Sequence, residues 1–278
     1  MVSLYREITA FLEENGTDDA EFDARCMIEQ AAGRQLEFIQ TLTDAQTAAV
    51  RDMANRRITG EPLQYILGEW EFFGMRLFVG KGVLIPRPDT EILVETVLDW
   101  CRNQQKPRIL DLCTGSGCIA LALQKHLPGA EVHALDLSEA ALSYARRNAD
   151  YHGLPVQFRQ GDVLDANLPG TMGKFDIIVS NPPYLTAEEM TRLQAEIQHE
   201  PASALAAGED GMLFYCGITQ HWKNCLHPGG LLAYEIGEQQ GGAVADLLER
   251  HGFVGIQVIQ DYAHHDRVVI GQDPLSQI

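Results

Sequence analysis

Apolar positions follow two different periods along this chain, and the change of period divides it. Before about residue 60 they recur at helical spacing. Leu4, Ile8, Phe11 and Leu12 define a first helix, which Gly16 is placed to close as a C-cap. A second helix is predicted over 19–32, with Phe22, Cys26 and Ile28 on or near one face and Gly33 at its end. Thr43 supplies a capping side chain for a third helix that reaches about residue 58. Beyond residue 107, short apolar runs of strand length take over, at 108–112, 131–135, 156–159, 175–180, 231–236, 253–259 and 267–270. Helical stretches at 119–126, 139–151, 212–225 and 241–250 separate most of them. Such alternation predicts an α/β unit with a parallel, doubly wound sheet. Only the short 261–266 turn joins the last two runs, too little chain for a crossover, so that pair is predicted antiparallel.

Between the two regimes, residues 61–86 are aromatic and punctuated by Gly68, Gly74, Gly80 and Gly82. Alternating residues around 75–79 and 82–85 predict a short β-hairpin linking the two parts. Pro86 and Pro88 then stop any strand, and Asp89-Thr90 opens a helix to about Trp100.

Charge narrows the range of partners. The chain of 278 residues carries 21 basic and 39 acidic side chains, a formal net charge of −18. Such a surface repels polyanions, so no direct nucleic-acid binding is expected and a basic or neutral protein partner is favoured. Residues 1–75 hold fourteen acidic and six basic side chains. They read first as a solvated surface and second as a docking face for a basic partner. No apolar run approaches the ~20 residues of a membrane span, and the N-terminus lacks the pattern of a signal peptide. The expectation is a cytoplasmic protein. Six scattered cysteines without a CxxC pair read as buried thiols, with neither disulfide nor metal expected.

Four motifs carry candidate chemistry. DLCTGSG, residues 111–117, follows a predicted strand and precedes a helix, so its small residues let the backbone approach a ligand and present N-terminal amides. Dinucleotide and S-adenosylmethionine folds both use this device, and a plain tight turn is the structural alternative. GxGxxG is absent, because Cys113 stands where the first glycine would be. Asp136 ends the next strand, where a carboxylate can accept both ribose hydroxyls of an adenosine ligand; capping of the next helix by Ser138-Glu139 competes for this corner. Gly161-Asp162-Val163 follows the third strand, where Asp162 can accept from an adenine amino group and Val163 can lie against the ring, although Gly-Asp is also a common turn. Asn181-Pro182-Pro183-Tyr184 follows the apolar run FDIIVS over the same crevice. Its prolines hold an extended chain and remove two donors, which frees the neighbouring carbonyls as acceptors. With the Asn181 side-chain oxygen, such acceptors can hold both hydrogens of an NH2 group, and Tyr184 offers a flat face to a planar amide or base. A proline-rich loop is the structural alternative. His264 and His265 read as turn residues.

With GVLIPRPDTE at 82–91, and Glu61-Pro62, Gly68 and Phe73-Gly74 upstream, the chain resembles the HemK-type release factor glutamine methyltransferases over nearly its whole length. The resemblance implies a Rossmann-like class I methyltransferase with a seven-stranded, mostly parallel sheet ending in an antiparallel hairpin. It implies a helical substrate-docking domain over 1–62, a hairpin linker over 63–86 and the methyltransferase domain over 87–278. The implied reaction is N5-methylation, with S-adenosylmethionine, of the glutamine in the Gly-Gly-Gln motif of peptide chain release factors. Cys113, Thr114, Gly115, Ser116 and Gly117 would wrap the methionine portion of the cofactor. Asp136 would bind its ribose, Asp162 and Val163 would border the adenine, and Asn181 would touch it from the substrate side. Asn181, Pro182, Pro183 and Tyr184 would grip the glutamine amide, with Asn181, Pro182 and Tyr184 carrying catalysis. Cys113 departs from the glycine of many relatives, and a thiol pointing away from the ligand would accommodate it. Arg87 would orient the substrate loop or tie linker to domain.

An amide nitrogen is a poor nucleophile, because its lone pair is delocalised into the carbonyl. Carbonyl acceptors can orient it and stabilise the positive charge that grows on it, without a strong base, so no catalytic His or Glu is nominated. NPPY is shared with adenine-N6 DNA and guanine-N2 RNA methyltransferases, which makes a nucleic-acid N-methyltransferase the main rival. The acidic charge and the lack of a long basic insertion weigh against it. A catalytically silent binding module of the same fold is the second rival, opposed by the intact NPPY and Asp136.

Overall fold

The computed structural model describes residues 2–275. Its N-terminal part is helical: α1 (Val2–Glu14), α2 (Ala20–Ala32), α3 (Asp44–Arg57) and the short α4 (Leu63–Leu67). Gly33, at φ 67°, closes α2, and Thr43 with Gln46 forms a reciprocal capping box at the start of α3. Ile8, Leu12, Ala24, Met27, Ile28 and Val50 form a separate small core. The buried face of α2 runs through Ala20, Ala24, Met27 and Ile28, a strict three-and-four spacing. Phe22 falls off that stripe and is 51% exposed, its ring edge-on to Trp70.

The linker hairpin pairs β1 (Glu69–Phe72) with β2 (Met75–Phe78), Phe72 facing Met75. This corrects the expected pairing of 75–79 with 82–85. The reason is the turn: Phe73 (φ 49°) and Gly74 (φ 64°) both occupy the left-handed region, as a two-residue turn matched to strand twist requires. Residues 82–85 form no strand; Val79 and Val83 pack instead against Ala141.

The remainder begins with α5 (Thr90–Trp100) and β3 (Arg108–Leu112), then α6 (Cys118–His126), β4 (Glu131–Asp136), α7 (Glu139–His152), β5 (Gln157–Gln160) and β6 (Phe175–Ser180). The four-residue α8 (Ala187–Met190) sits in a long irregular segment, followed by α9 (Leu213–Trp222), β7 (Leu226–Glu235), α10 (Gly241–Arg250), β8 (Val254–Gln260) and β9 (Asp266–Gln272). One seven-stranded sheet runs β5-β4-β3-β6-β7-β9-β8, parallel except for β9, which is antiparallel to both its neighbours. The predicted doubly wound sheet and its terminal antiparallel pair are therefore present.

Alternate residues of each strand feed opposite cores. Ile109, Val132, Ile177 and Leu231 pack towards α5 and α6, whereas Leu110, Leu135, Ile178 and Leu232 pack towards α9 and α10. Burial on both faces is what gives these strands their continuous apolar runs. The chain winds outward from β3 to β5 and returns to β6 on the other side of β3, so the order reverses between β3 and β6. Ligands of open α/β sheets bind at the carboxyl ends of strands at such a reversal. Across the two parts, Arg57 on α3 donates to Asp23 on α2 at 2.6 Å and to Glu196, beyond β6, at 2.5 Å. Among the described residues no helix is long and apolar enough to cross a membrane.

Candidate active site

A cavity of about 300 Å³ opens at this reversal. Most of the predicted residues meet on its wall: Cys113, Thr114, Gly115 and Ser116 from the turn after β3, Asp136 from β4, Asp162 and Val163 beyond β5, and Asn181 and Pro183 beyond β6. Gly117, Pro182 and Tyr184 do not line it.

Asp111 organises the turn after β3. Its Oδ2 accepts from the Thr114 hydroxyl at 2.6 Å and from the Ala120 N–H at 3.1 Å, while its Oδ1 has no partner. Burial pushes this carboxyl up to about 7. Cys113 (φ 62°) and Gly115 (φ 56°) both take left-handed conformations. For the non-glycine Cys113 that costs roughly 1–2 kcal/mol. Its side chain packs against the core that faces α9 and α10, beside the Ser180 hydroxyl, while the residue still forms part of the cavity wall. Burial, with Asp136 nearby, holds the thiol well above its usual range. Gly117 (φ 82°) serves the scaffold instead: a Cβ there would lie 3.2 Å from the Ala145 Cβ and 3.3 Å from the Leu121 side chain, where α6 meets α7.

At the end of β4, Asp136 accepts from the Gly115 N–H through Oδ2 and from the Ser138 N–H through Oδ1, each at 2.8 Å. Burial raises its carboxyl above the ordinary range, and these backbone donors oppose the shift. Ser138 also caps α7, accepting from the Ala141 N–H at 3.2 Å, so the two roles weighed for this corner coexist on neighbouring residues. Each Asp136 oxygen retains acceptor capacity for a ligand hydroxyl. Asp162 turns its chain by accepting from the Leu164 N–H at 2.9 Å, and Val163 is buried with its carbonyl bound by the Trp222 indole at 2.9 Å.

The donor and acceptor set fits S-adenosylmethionine. Asp136 and Asp162 are the carboxylates on the wall; Val83, Leu137, Val163 and Phe214 add apolar surface. Arg87 is the one cation among the described lining residues, and Glu200 already pairs with it. Two carboxylates with no free cation suit hydroxyls, an amino group and a sulfonium, and oppose a polyphosphate.

The half-buried Asn181 donates through Nδ2 to the Thr90 hydroxyl at 3.3 Å. Neither the Asn181 nor the Pro182 main-chain carbonyl accepts a hydrogen bond from another described residue. Tyr184 stands back from the wall because its ring packs on the core facing α9 and α10, where burial pushes the phenol up to about 12. Its carbonyl accepts from Gln240 Nε2 at 3.1 Å.

Several contributors lie outside the four motifs. Thr90, Leu137, Pro201, Ser203, Ala204 and Phe214 also line the cavity. Arg87 has a definite partner: it donates to the buried Glu200 and, at 3.1 Å, to the Ile85 carbonyl, while the Ile85 N–H donates to Glu200 at 2.9 Å. Of its two expected roles, Arg87 thus ties the linker to the segment beyond β6 that covers the site. Glu235, at the end of β7, is 1% exposed, and its Oε2 has no partner. A lone carboxylate inside the apolar run LLAYEI was its signal in the sequence. Of the six cysteines expected to be buried, Cys101 and Cys225 are, whereas Cys26, Cys113 and Cys118 are half-buried and Cys216 is exposed on α9.

Known proteins resemble this chain in sequence and in fold. Residues 88–217 match the model for the methyltransferase small domain, and residues 3–68 match the PrmC N-terminal domain. A release factor glutamine methyltransferase of Thermodesulfovibrio yellowstonii is 43% identical over 239 residues, covering 84% of this chain and 85% of that protein. One from Chlorobaculum tepidum is 38% identical over 281 residues, covering 96% and 95% respectively. Among solved structures, a methyltransferase from Pyrococcus furiosus superposes with a TM-score of 0.56 at 19% identity, over 84% of this chain and all of that one, a likeness of fold.

Proposed function

Because the chain belongs to the release factor glutamine methyltransferases, it transfers a methyl group from S-adenosylmethionine to a release factor glutamine, and we propose that the cavity at the β3/β6 reversal is where the two meet. One observation carries this reading: Asp136, ending β4, and Asn181, following β6, face the same cavity. The reading assigns the methyl to the side-chain nitrogen (N5) of the glutamine in the Gly-Gly-Gln motif.

Residues Cys113–Ser116 and Asp136 hold the methionine and ribose portions of the cofactor in this proposal, with Gly117 permitting the helix packing behind them. Asp162 and Val163 border the adenine. When bound, the cofactor supplies a methyl carbon on a positively charged sulfur, open to in-line displacement. The Asn181 side-chain oxygen accepts one hydrogen of the glutamine NH2 and a free carbonyl of the Asn181-Pro182 segment accepts the other, which aims the nitrogen. As positive charge develops there, the same acceptors bind more strongly, which lowers the barrier without a general base, and the nitrogen, acidic once methylated, then releases one N–H proton to solvent. Pro183 closes the wall. Tyr184 supports the grip from behind, through its carbonyl's bond to Gln240.

Labelled S-adenosylmethionine incubated with a release factor and with duplex DNA tests this reading. Label on the release factor that disappears when the motif glutamine is replaced by alanine is the expected result. Efficient labelling of DNA or RNA with none on release factor would favour the nucleic-acid rival.

A further inference from the structure

Glu235 buries a carboxylate beside the reacting centre without forming part of the cavity wall. In register, Ser180 of β6 faces Tyr234 of β7, which brings the next residues, Asn181 and Glu235, side by side at the carboxyl ends of adjacent parallel strands. Thr90, the first residue of α5, completes the group. Its hydroxyl oxygen accepts from Asn181 Nδ2 at 3.3 Å, and Thr90 and Asn181 both lie close enough to the Glu235 carboxyl to favour its ionised form. The Oε2 of Glu235 has no hydrogen-bond partner. A buried unpartnered carboxylate oxygen is costly, so its retention beside an asparagine amide calls for a role.

We infer that Glu235 is a positioning residue, which acts with Thr90 to fix the Asn181 amide with its NH2 turned inward and its oxygen toward the cavity. The inference rests on the proposed role of Asn181 in holding the substrate amide. An asparagine side chain is nearly symmetric in shape, and packing alone discriminates poorly between its two orientations. An ionised carboxylate only accepts. It accepts a hydrogen bond from the Thr90 hydroxyl, and this leaves the Thr90 oxygen as an acceptor for Asn181 Nδ2. The NH2 of Asn181 therefore faces inward and its oxygen faces the substrate. Protonated, Glu235 becomes a donor, and the inward group can be the Asn181 oxygen. The amide then presents NH2 groups to an NH2 substrate, a donor facing a donor.

The protonation state matters within an accessible pH range. Burial pushes the Glu235 carboxyl up to about 7. The charged and titratable groups that face it are Arg267 on β9, Asp89 before α5, Cys118 on α6, Tyr184, and Tyr215 on α9. Of these only Arg267 is cationic. It favours the ionised form, and Asp89 opposes it.

Single-turnover methyl transfer to a release factor, at saturating S-adenosylmethionine and across pH 6–9, tests the inference in the full-length enzyme. The wild-type rate is expected to fall as pH drops through about 7. E235Q keeps the size but not the acceptor-only character. It is expected to lose about tenfold or more in rate at pH 8, to lose the acid limb that belongs to Glu235, and to keep its S-adenosylmethionine affinity and melting temperature. E235D is expected to recover part of the rate and the limb. Any limb from the buried Asp111 is common to all three proteins. An E235Q enzyme with the wild-type rate and pH profile overturns the inference. So does a rate loss in E235Q and E235D that merely tracks lost folded protein. A wild-type enzyme that labels no release factor at all overturns the functional reading first, and the inference with it.

Discussion

The Gly115 N–H donates to the Asp136 carboxylate across 2.8 Å, so the glycine turn after β3 and the acid ending β4 form one unit. On the proposed role of Asp136, a carboxylate that shapes the turn and also meets the ligand affects binding twice. Asp136→Ala is therefore expected to weaken S-adenosylmethionine binding by about 1–3 kcal/mol, the scale for losing a charged acceptor. Asp136→Asn should lose less, since its side-chain oxygen can still accept from Gly115. Calorimetric titration of both variants decides the point, and wild-type affinity in Asp136→Ala would remove this residue from the site.

Arg87 and Glu200 make a different kind of prediction, about the cover of the site. Glu200 is 6% exposed, and Arg87 is its cationic partner. Arg87→Ala leaves a buried carboxylate uncompensated and is expected to cost about 1–3 kcal/mol of stability. Adding Glu200→Gln should recover part of that loss, because a neutral amide is cheaper to bury. Urea unfolding of the single and double variants measures both. Equal midpoints for wild type and Arg87→Ala would mean that the tie contributes nothing to stability.

What was legible in the sequence followed from how local each feature is. The central strands of the sheet were readable because burial on both faces leaves continuous apolar runs, and the helix ends because Gly33 and Thr43 act through their own neighbours. The hairpin register was misread because Phe73 holds a left-handed turn conformation, which an aromatic residue does not advertise. Arg87 could not be assigned, since its partner lies 113 residues away in a segment without periodicity. Glu235 was not singled out within the run 231–236, because one carboxylate in an apolar run says nothing about which side chains close around it. The NPPY segment was the opposite case: proline restricts its own backbone, so its free carbonyls could be anticipated from four letters.

Stability should depend on pH through Asp111 in a direction opposite to the usual paired carboxylate. Burial places its folded-state value at about 7, against an ordinary 3.8, so the native protein binds this proton more tightly than the unfolded chain does. The resulting stabilisation is fully present below the ordinary carboxylate range, and it is lost as pH rises towards and through about 7. Carboxyls held low, such as Glu61 and Glu131, act the other way, so the comparison must be made between variants. Asp111→Asn removes the titration and keeps an oxygen for Thr114 and Ala120. Its stability relative to wild type is expected to improve by on the order of 3 kcal/mol between pH 5 and pH 8. Chemical denaturation at the two pH values checks this, and a constant difference would show that Asp111 does not titrate there.

Asn181 gives the sharpest separation of catalysis from binding. Its side chain is held by Thr90, its main-chain carbonyl is free, and the residue lies on the cavity wall. An acceptor at that place gains most when the substrate nitrogen becomes positive, so its removal should cost the transition state more than either bound ground state. Asn181→Ala is expected to stay folded, to keep S-adenosylmethionine affinity nearly unchanged, and to lose about 10²–10³ in rate, the scale for one preorganised group aimed at developing charge. Asn181→Asp preserves size and acceptor but adds negative charge near a sulfonium. It should hold the cofactor more tightly while placing a second buried carboxylate beside Glu235, which raises both carboxyls. Its rate should therefore recover as pH rises, whereas Asn181→Ala stays slow throughout. Single-turnover kinetics with both ligands saturating measures all of this. Wild-type transfer by Asn181→Ala would reduce NPPY to a structural turn and remove the proposed mechanism.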